Sequence, residues 1–244
     1  MSQQNAPQTG PLNRPVDERA FNHAVNLPTL PARVPGILLF LLVPFILGLG
    51  IAISCYIASG VSLGLFFGPV LLITFAASPL ALRGAPNKRL LTCVALTFGI
   101  WIFWLLAAHL SAMNLLRCGL VLFSYITALA GGAALIERLR IGPVFASAIM
   151  VLLGTAWLTW PVWLCTWLDG PHAEAVVHGL TAIHPLMAIN GVLFERFNFW
   201  DRYTIAYQQL TSLNQDIFYA LPRTIMWMVL VHLSIGAGAL IRSR

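Results

Sequence analysis

Charge is what this chain has least of. Asp and Glu number 8 and Lys and Arg 14 in 244 residues, or 9% of the chain, where a soluble domain carries about 25%. A water-facing surface must be solvated over its whole area, and so few charges cannot clothe a 26.7 kDa globule. That excludes an ordinary soluble enzyme, a disordered chain and a nucleic-acid binder with one basic face. Catalytic signatures are missing as well: there is no GxxxxGK[ST], no HExxH, no GxSxG and no clustered Asp pair. There is no CxxC pair, and Cys55, Cys93, Cys118 and Cys165 lie inside apolar runs, where they read as small buried hydrophobes. We expect no enzyme chemistry and no resident cofactor or metal.

What is abundant is apolar surface: 59% of residues are hydrophobic and the mean hydropathy is +0.82. A hydrocarbon core about 30 Å thick needs about 20 apolar residues per helical crossing. Six stretches meet that length: 36–58, 61–82, 90–110, 116–136, 141–168 and 221–241. Long, non-alternating runs mean helices, because a lipid-exposed backbone must satisfy its own polar groups. The fold expected is all-α: a polytopic membrane bundle of six helices.

Residues 1–35 carry Pro7, Pro11, Pro15, Pro28, Pro31 and Pro35, which prevent a continuous helix; only 17–26, DERAFNHAVN, suits a short interfacial helix. The first apolar run exceeds the about 7–15 residues of a signal-peptide core, so this tail is expected to stay in the cytoplasm. With the N-terminus inside, ten of the fourteen basic residues fall on the inner side: Arg14, Arg19, Arg33, Arg83, Lys88, Arg89, Arg138, Arg140, Arg242 and Arg244. Arg117, Arg196, Arg202 and Arg223 are left outside. Both termini in the cytoplasm, in the inner or plasma membrane, is the arrangement that the positive-inside rule selects.

Segment 169–220 sits between spans five and six. Its stretch 176–194, VVHGLTAIHPLMAINGVLF, is apolar yet interrupted by Gly179, His184, Pro185 and Gly191. It reads as two half-helices broken at Pro185, re-entrant or lying on the outer leaflet, with a seventh crossing as the alternative. Residues 195–219 mix aromatics with charges and suit the headgroup level.

Few groups could carry chemistry at membrane depth. No Asp or Glu lies mid-span, which argues against a proton-coupled carrier, since a carboxylate is the usual intramembrane relay. His232 falls near the middle of span six, where a hydrogen bond to a Ser or Thr of another helix is its plain role. His109 and Arg117 flank the outer loop between spans three and four, and Arg117 suits snorkelling to the headgroups. His172, His178 and His184 recur every six residues, a turn of about 240° in a helix, so one helix would not gather them. His109, His184 and His232 are the candidate cofactor ligands; Pro161, His178, Pro185, Asn190 and Arg117 are the gating or structural candidates.

Trp157, Trp160, Trp163 and Trp167 share one third of a helix circumference and read as an interfacial belt, with Pro161 expected to kink the helix between them. This row, followed by Asp169, resembles the tryptophan-rich outer segments of haem-handling proteins of cytochrome c maturation, without their WGxxWxWD-like run. Gly64 with Gly68, Ala128 with Gly132, and Ser234 with Gly238 are small-residue pairs at four-residue spacing, which favour close helix packing or a homodimer.

Taken whole, the layout of 17–35, six runs and the broken element 174–196 around His184-Pro185 resembles the permease subunits of ABC-2-type transporters. The resemblance covers the chain in topology and rests on no sequence motif. It implies a separate ATP-binding subunit as partner, an outer gate at 174–196, and coupling through the loop Pro79 to Arg89. The family's coupling helix between spans two and three has room here if span two ends at Ser78-Pro79, ahead of RGAPNKR. The alternatives are an accessory subunit, or a subunit holding haem or quinone. Nucleic acid is not an expected partner; the lipid bilayer and other membrane subunits are.

Overall fold

The computed structural model describes residues 36–59, 63–83, 86–164, 167, 172–193 and 223–241. The interfacial helix expected at 17–26, the headgroup segment 195–219, Cys165, Asp169 and the C-terminal arginines lie outside the described residues. The helices in chain order are α1 Gly36–Ser59, a π-helical turn Leu63–Phe67, α2 Gly68–Arg83, α3 Pro86–Ala107, α4 Ala112–Glu137, α5 Pro143–Trp163, α6 Ala173–Ala182, α7 Pro185–Leu193 and α8 Met226–Ile241. No strand occurs among the described residues.

Five apolar segments are long enough to cross a bilayer: Phe40–Ala58, Leu65–Arg83, Lys88–Ala107, Ala112–Glu137 and Pro143–Pro161. The pair α6 and α7, bent by 76°, makes a sixth if counted as one broken span. Helix α8 has 16 residues and is about 24 Å long. Large apolar side chains cover the outside of the bundle; Leu106, Val144, Phe145 and Leu152 are each at least 70% exposed. In water such a surface would aggregate, whereas against acyl chains it is the solvated face. The protein is a multi-pass helical membrane protein.

Helix boundaries follow local chemistry that hydropathy does not see. Span three begins at Pro86 rather than at residue 90, because proline at the first helical position needs no N–H partner, and polar Asn87, Lys88 and Arg89 continue the helix. Span four begins at Ala112 because the Ser111 side chain accepts the Asn114 N–H at 3.3 Å, an N-cap. Span five starts after Gly142 with Pro143 at the first position and ends at Trp163. Span two does not end at Ser78-Pro79: α2 runs through Pro79 to Arg83, and only Gly84 and Ala85 separate it from α3. A coupling helix therefore has no room between spans two and three.

Helix α4 is the centre. It packs against α8, α3, α2, α5 and α7, and its run Ala128, Ala130, Gly131, Ala133, Ala134 is buried because small side chains let neighbours close in from several sides. The tightest crossing puts glycine on glycine: a side chain on Gly131 would stand 2.6 Å from the Gly236 Cα of α8. Helices α1 and α3 meet in the same way, Gly48 against the Leu96 carbonyl and Gly99 against the Phe45 carbonyl. Of the small-residue positions expected, Gly68 is close-packed on Cys55, Ala128 is buried, Gly132 is filled by Met150, and Ser234 is exposed. The true α4–α8 seam is offset by one position on α4, where Thr127 and Gly131 meet Gly236, and by two on α8. On α8 it follows Met228, His232 and Gly236, all buried and four residues apart.

Candidate functional site at the broken helix pair

Polar side chains in the core must find partners, since lipid supplies none. Between α2 and α4 the Tyr125 hydroxyl lies 2.9 Å from the Thr74 hydroxyl, which itself donates to the Val70 carbonyl at 2.9 Å. One turn further on, Ser78 donates to the Leu129 carbonyl at 3.3 Å. Next to this ladder the π-helical turn, whose wider winding misaligns carbonyls, gives its Leu65 carbonyl to the Trp104 indole N–H at 2.7 Å.

The break between α6 and α7 is built by His184-Pro185. The His184 carbonyl accepts the Ala188 N–H at 2.9 Å, and its ring Nδ1 accepts the Met187 N–H at 3.3 Å. His184 is thus the N-cap of α7 and Pro185 its first residue, a pairing that suits a helix start. Because Nδ1 accepts, the proton sits on Nε2, which donates to the Leu158 carbonyl of α5 at 3.2 Å. Pro161 lacks an N–H, so Trp157 has no donor four residues ahead. Helix α5 continues past Pro161 to Trp163, and the carbonyl left without its in-helix donor, that of Trp157, is next in sequence to the Leu158 carbonyl that holds the His184 ring.

Helix α7 is swallowed by the core. Pro185, Leu186, Met187, Ala188, Ile189, Asn190 and Leu193 are buried, with Asn190 fully so, and α7 packs on α4. Helix α6 buries only Val177 and Thr181. The break at Pro185 between two short helices is the one expected from sequence; the burial of α7 and the exposure of most of α6 are set by packing.

His232 stands next to this element. Its Nδ1 lies 2.9 Å from the Met228 carbonyl of its own helix, and since a carbonyl only accepts, Nδ1 carries the proton and Nε2 a lone pair. The hydroxyl from another helix expected as its partner is replaced by this bond within α8. Tyr125 meets the ring edge-on at 5.9 Å and Trp157 at 6.5 Å; Trp157 in turn lies 5.7 Å and Trp160 6.2 Å from His184. His184 at the break, His232 of α8, Tyr125 of α4 and Trp157 and Trp160 of α5 therefore form one chain of ring contacts, all of them buried but the partly buried Trp157. The Trp157 indole N–H in its middle is buried without a hydrogen-bond partner among the described residues.

The tryptophan row divides. Trp157 and Trp160 turn inward, whereas Trp163 and Trp167 are 46% and 81% exposed, so only the outer two suit an interfacial belt. His178 is half-exposed and lies 3.7 Å from Glu174 one turn away, and His172 is exposed ahead of α6. The three histidines at six-residue spacing do not converge, and no group of metal-binding side chains occurs among the described residues. His109 is exposed in the α3–α4 turn with φ 48°, a left-handed conformation in which histidine is over-represented. Arg117 is exposed on α4. Of the three candidate ligands, His184 has both nitrogens engaged, His109 is a turn residue, and His232 alone keeps a nitrogen unused among the described residues.

Basic residues gather at the opposite end of α3 and α4. Arg89 donates to Glu137 at 3.0 Å, with side chains 9% and 31% exposed, and Lys88 stands 5.2 Å over the Phe40 ring. Arg83 at the end of α2 and Arg138 and Arg140 after α4 complete this end. No family model matches the chain, and no curated protein and no solved structure is significantly similar to it.

Proposed function

We propose that this protein is the permease-type membrane subunit of a transporter whose ATP hydrolysis resides on a separate chain. The observation that carries the reading is the half-helix α7, started by His184-Pro185 and buried against α4 next to α5. A broken element at that place in the chain is what ABC-2-type permeases use as an outer gate. The lack of an acidic residue mid-span in the described helices fits energy supplied from outside the bundle. With no room between α2 and α3, the contact with an ATP-binding chain falls on the end bearing Arg83, Lys88, Arg138 and Arg140. We place that end, and both termini, in the cytoplasm of the cell or inner membrane by the positive-inside rule.

The test is co-expression of the tagged protein with each ATP-binding chain encoded beside it, followed by pull-down and ATPase assay. One such chain is expected to co-purify and to hydrolyse ATP faster in the complex. Purification alone from every combination would overturn the reading. A second reading, a haem- or quinone-holding subunit, has the unused Nε2 of His232 in its favour. A Soret band in protein from haem-replete cells that is lost in His232→Leu would select it.

A further inference from the structure

A ring nitrogen caps a helix only while it keeps a lone pair. His184 Nδ1 accepts the Met187 N–H at 3.3 Å, and Nε2 gives its proton to the Leu158 carbonyl at 3.2 Å. One nitrogen is committed as acceptor and the other as donor, so the docked ring is a neutral imidazole. An imidazolium carries N–H on both nitrogens. Here the second proton would point at the Met187 N–H, donor against donor, while the bond to Leu158 would survive. The conflict falls on the start of α7 alone.

Little around the ring offsets that conflict. His184 is 1% exposed, so water does not solvate a cation there. Helix α7 turns the positive end of its dipole on the same residue and carries no charged side chain. Helix α5 has no ionisable residue between Pro143 and Trp163. Its Trp157 and Trp160 rings, at 5.7 and 6.2 Å, favour a cation but do not replace the acceptor that the Met187 N–H loses. Helix α4, which packs on α7, brings Cys118 and Tyr125 as buried ionisable groups, neither an anion near neutral pH. The charged residues of α4 are the exposed Arg117 and Glu137, which Arg89 holds at the far end. On α6, Glu174 and His178 face each other in open positions. His232 of α8 connects to the ring through Trp157. Its free Nε2 takes a proton without disturbing the bond to Met228, and a charge there repels one on His184.

We propose that His184 is an acid-labile latch: uptake of one proton from solvent on Nδ1 breaks the cap and releases the half-helix α7 from the bundle. The docked form excludes that proton, whereas a released histidine in water takes it up with a pKa of about 6.5. Docking is therefore at full strength above that pH and weakens about tenfold for each unit below it. The latch needs α7 only as a docked half-helix and stands whether or not the protein transports anything. In the permease reading it makes the outer gate open in acid.

The test follows maleimide labelling of the full chain in nanodiscs, with the label located by peptide mass spectrometry. Ala188→Cys puts a thiol at a buried position of α7, where the reagent reaches it only on release. Val176→Cys, on the open side of α6, reports the pH dependence of the thiol itself. The rate at 188 divided by the rate at 176 is expected to rise about 30-fold from pH 7.5 to pH 5.0. In His184→Asn, which caps without a titrating nitrogen, the ratio should stay level with pH, whatever its height. In His232→Leu the rise should persist. A level ratio with His184 in place would overturn the proposal. A rise that persists in His184→Asn, or that vanishes in His232→Leu, would overturn it too, by assigning the proton to another group.

Discussion

His184 performs three tasks with one ring and one carbonyl: it caps α7 twice and ties the cap to α5. Replacing it by leucine keeps the bulk and removes the capping acceptor and the Nε2 donor together. The expected cost is about 1–3 kcal/mol, from a lost cap and a lost buried hydrogen bond. Thermal unfolding in detergent should show it as a lower midpoint. His184→Asn, which can cap but cannot reach Leu158, should fall between. Arg140 is the other instructive residue. Its φ of 62° is a backbone state that costs an L residue about 1–2 kcal/mol and glycine almost nothing. Arg140→Gly should therefore unfold at the same temperature or higher despite losing a charge. Neither effect is visible in a hydropathy profile, because both depend on backbone geometry at one position.

Among elements, the glycine crossing of α4 on α8 and the prolines of α5 and α7 set the geometry around the buried histidines. Gly131→Val would push a methyl pair into the Gly236 backbone and separate the helices that carry Tyr125 and His232. Overpacking of this kind costs about 1–3 kcal/mol or more, and the Tyr125–His232 contact should open with it; a lowered melting temperature checks the first and cysteine cross-linking of the α4–α8 seam the second. Pro161→Ala would return an N–H to α5 and offer the Trp157 carbonyl a donor within its own helix. Slower amide exchange in the second half of α5 is the expected signature. The half-helix break itself was legible at His184-Pro185. Which carbonyl received the ring was not, since Leu158 lies 26 positions away.

At the scale of the whole molecule, the Arg89–Glu137 pair joins the start of α3 to the end of α4 and holds the basic end together. A double-mutant cycle with Arg89→Gln and Glu137→Gln should return a coupling of about 1 kcal/mol, as Glu137 is partly open to solvent. Arg89→Gln alone should cost more than the double variant, because it leaves Glu137 charged and unpaired. The alternation of long helices further requires that cysteines placed at Arg83 and at His109, the two ends of α3 with its preceding turn, label from opposite sides of intact cells. The cytoplasmic assignment of the basic end predicts that position 83 is the protected one.

Solvent choice was decided by composition alone. With so few charges and so many apolar runs of crossing length, only lipid can surround the chain, and runs that long and non-alternating satisfy their backbone there as helices. The order of the five long helices, and the break at Pro185, follow from that local pattern. The meeting of His232, Trp157 and His184 and the offset of the α4–α8 seam, by one position on α4 and two on α8, were decided only by tertiary structure. Lipid exerts no preference among apolar faces, so which face of each helix turns inward is settled by the fit of small residues against distant neighbours, and that fit has no signature along a single segment.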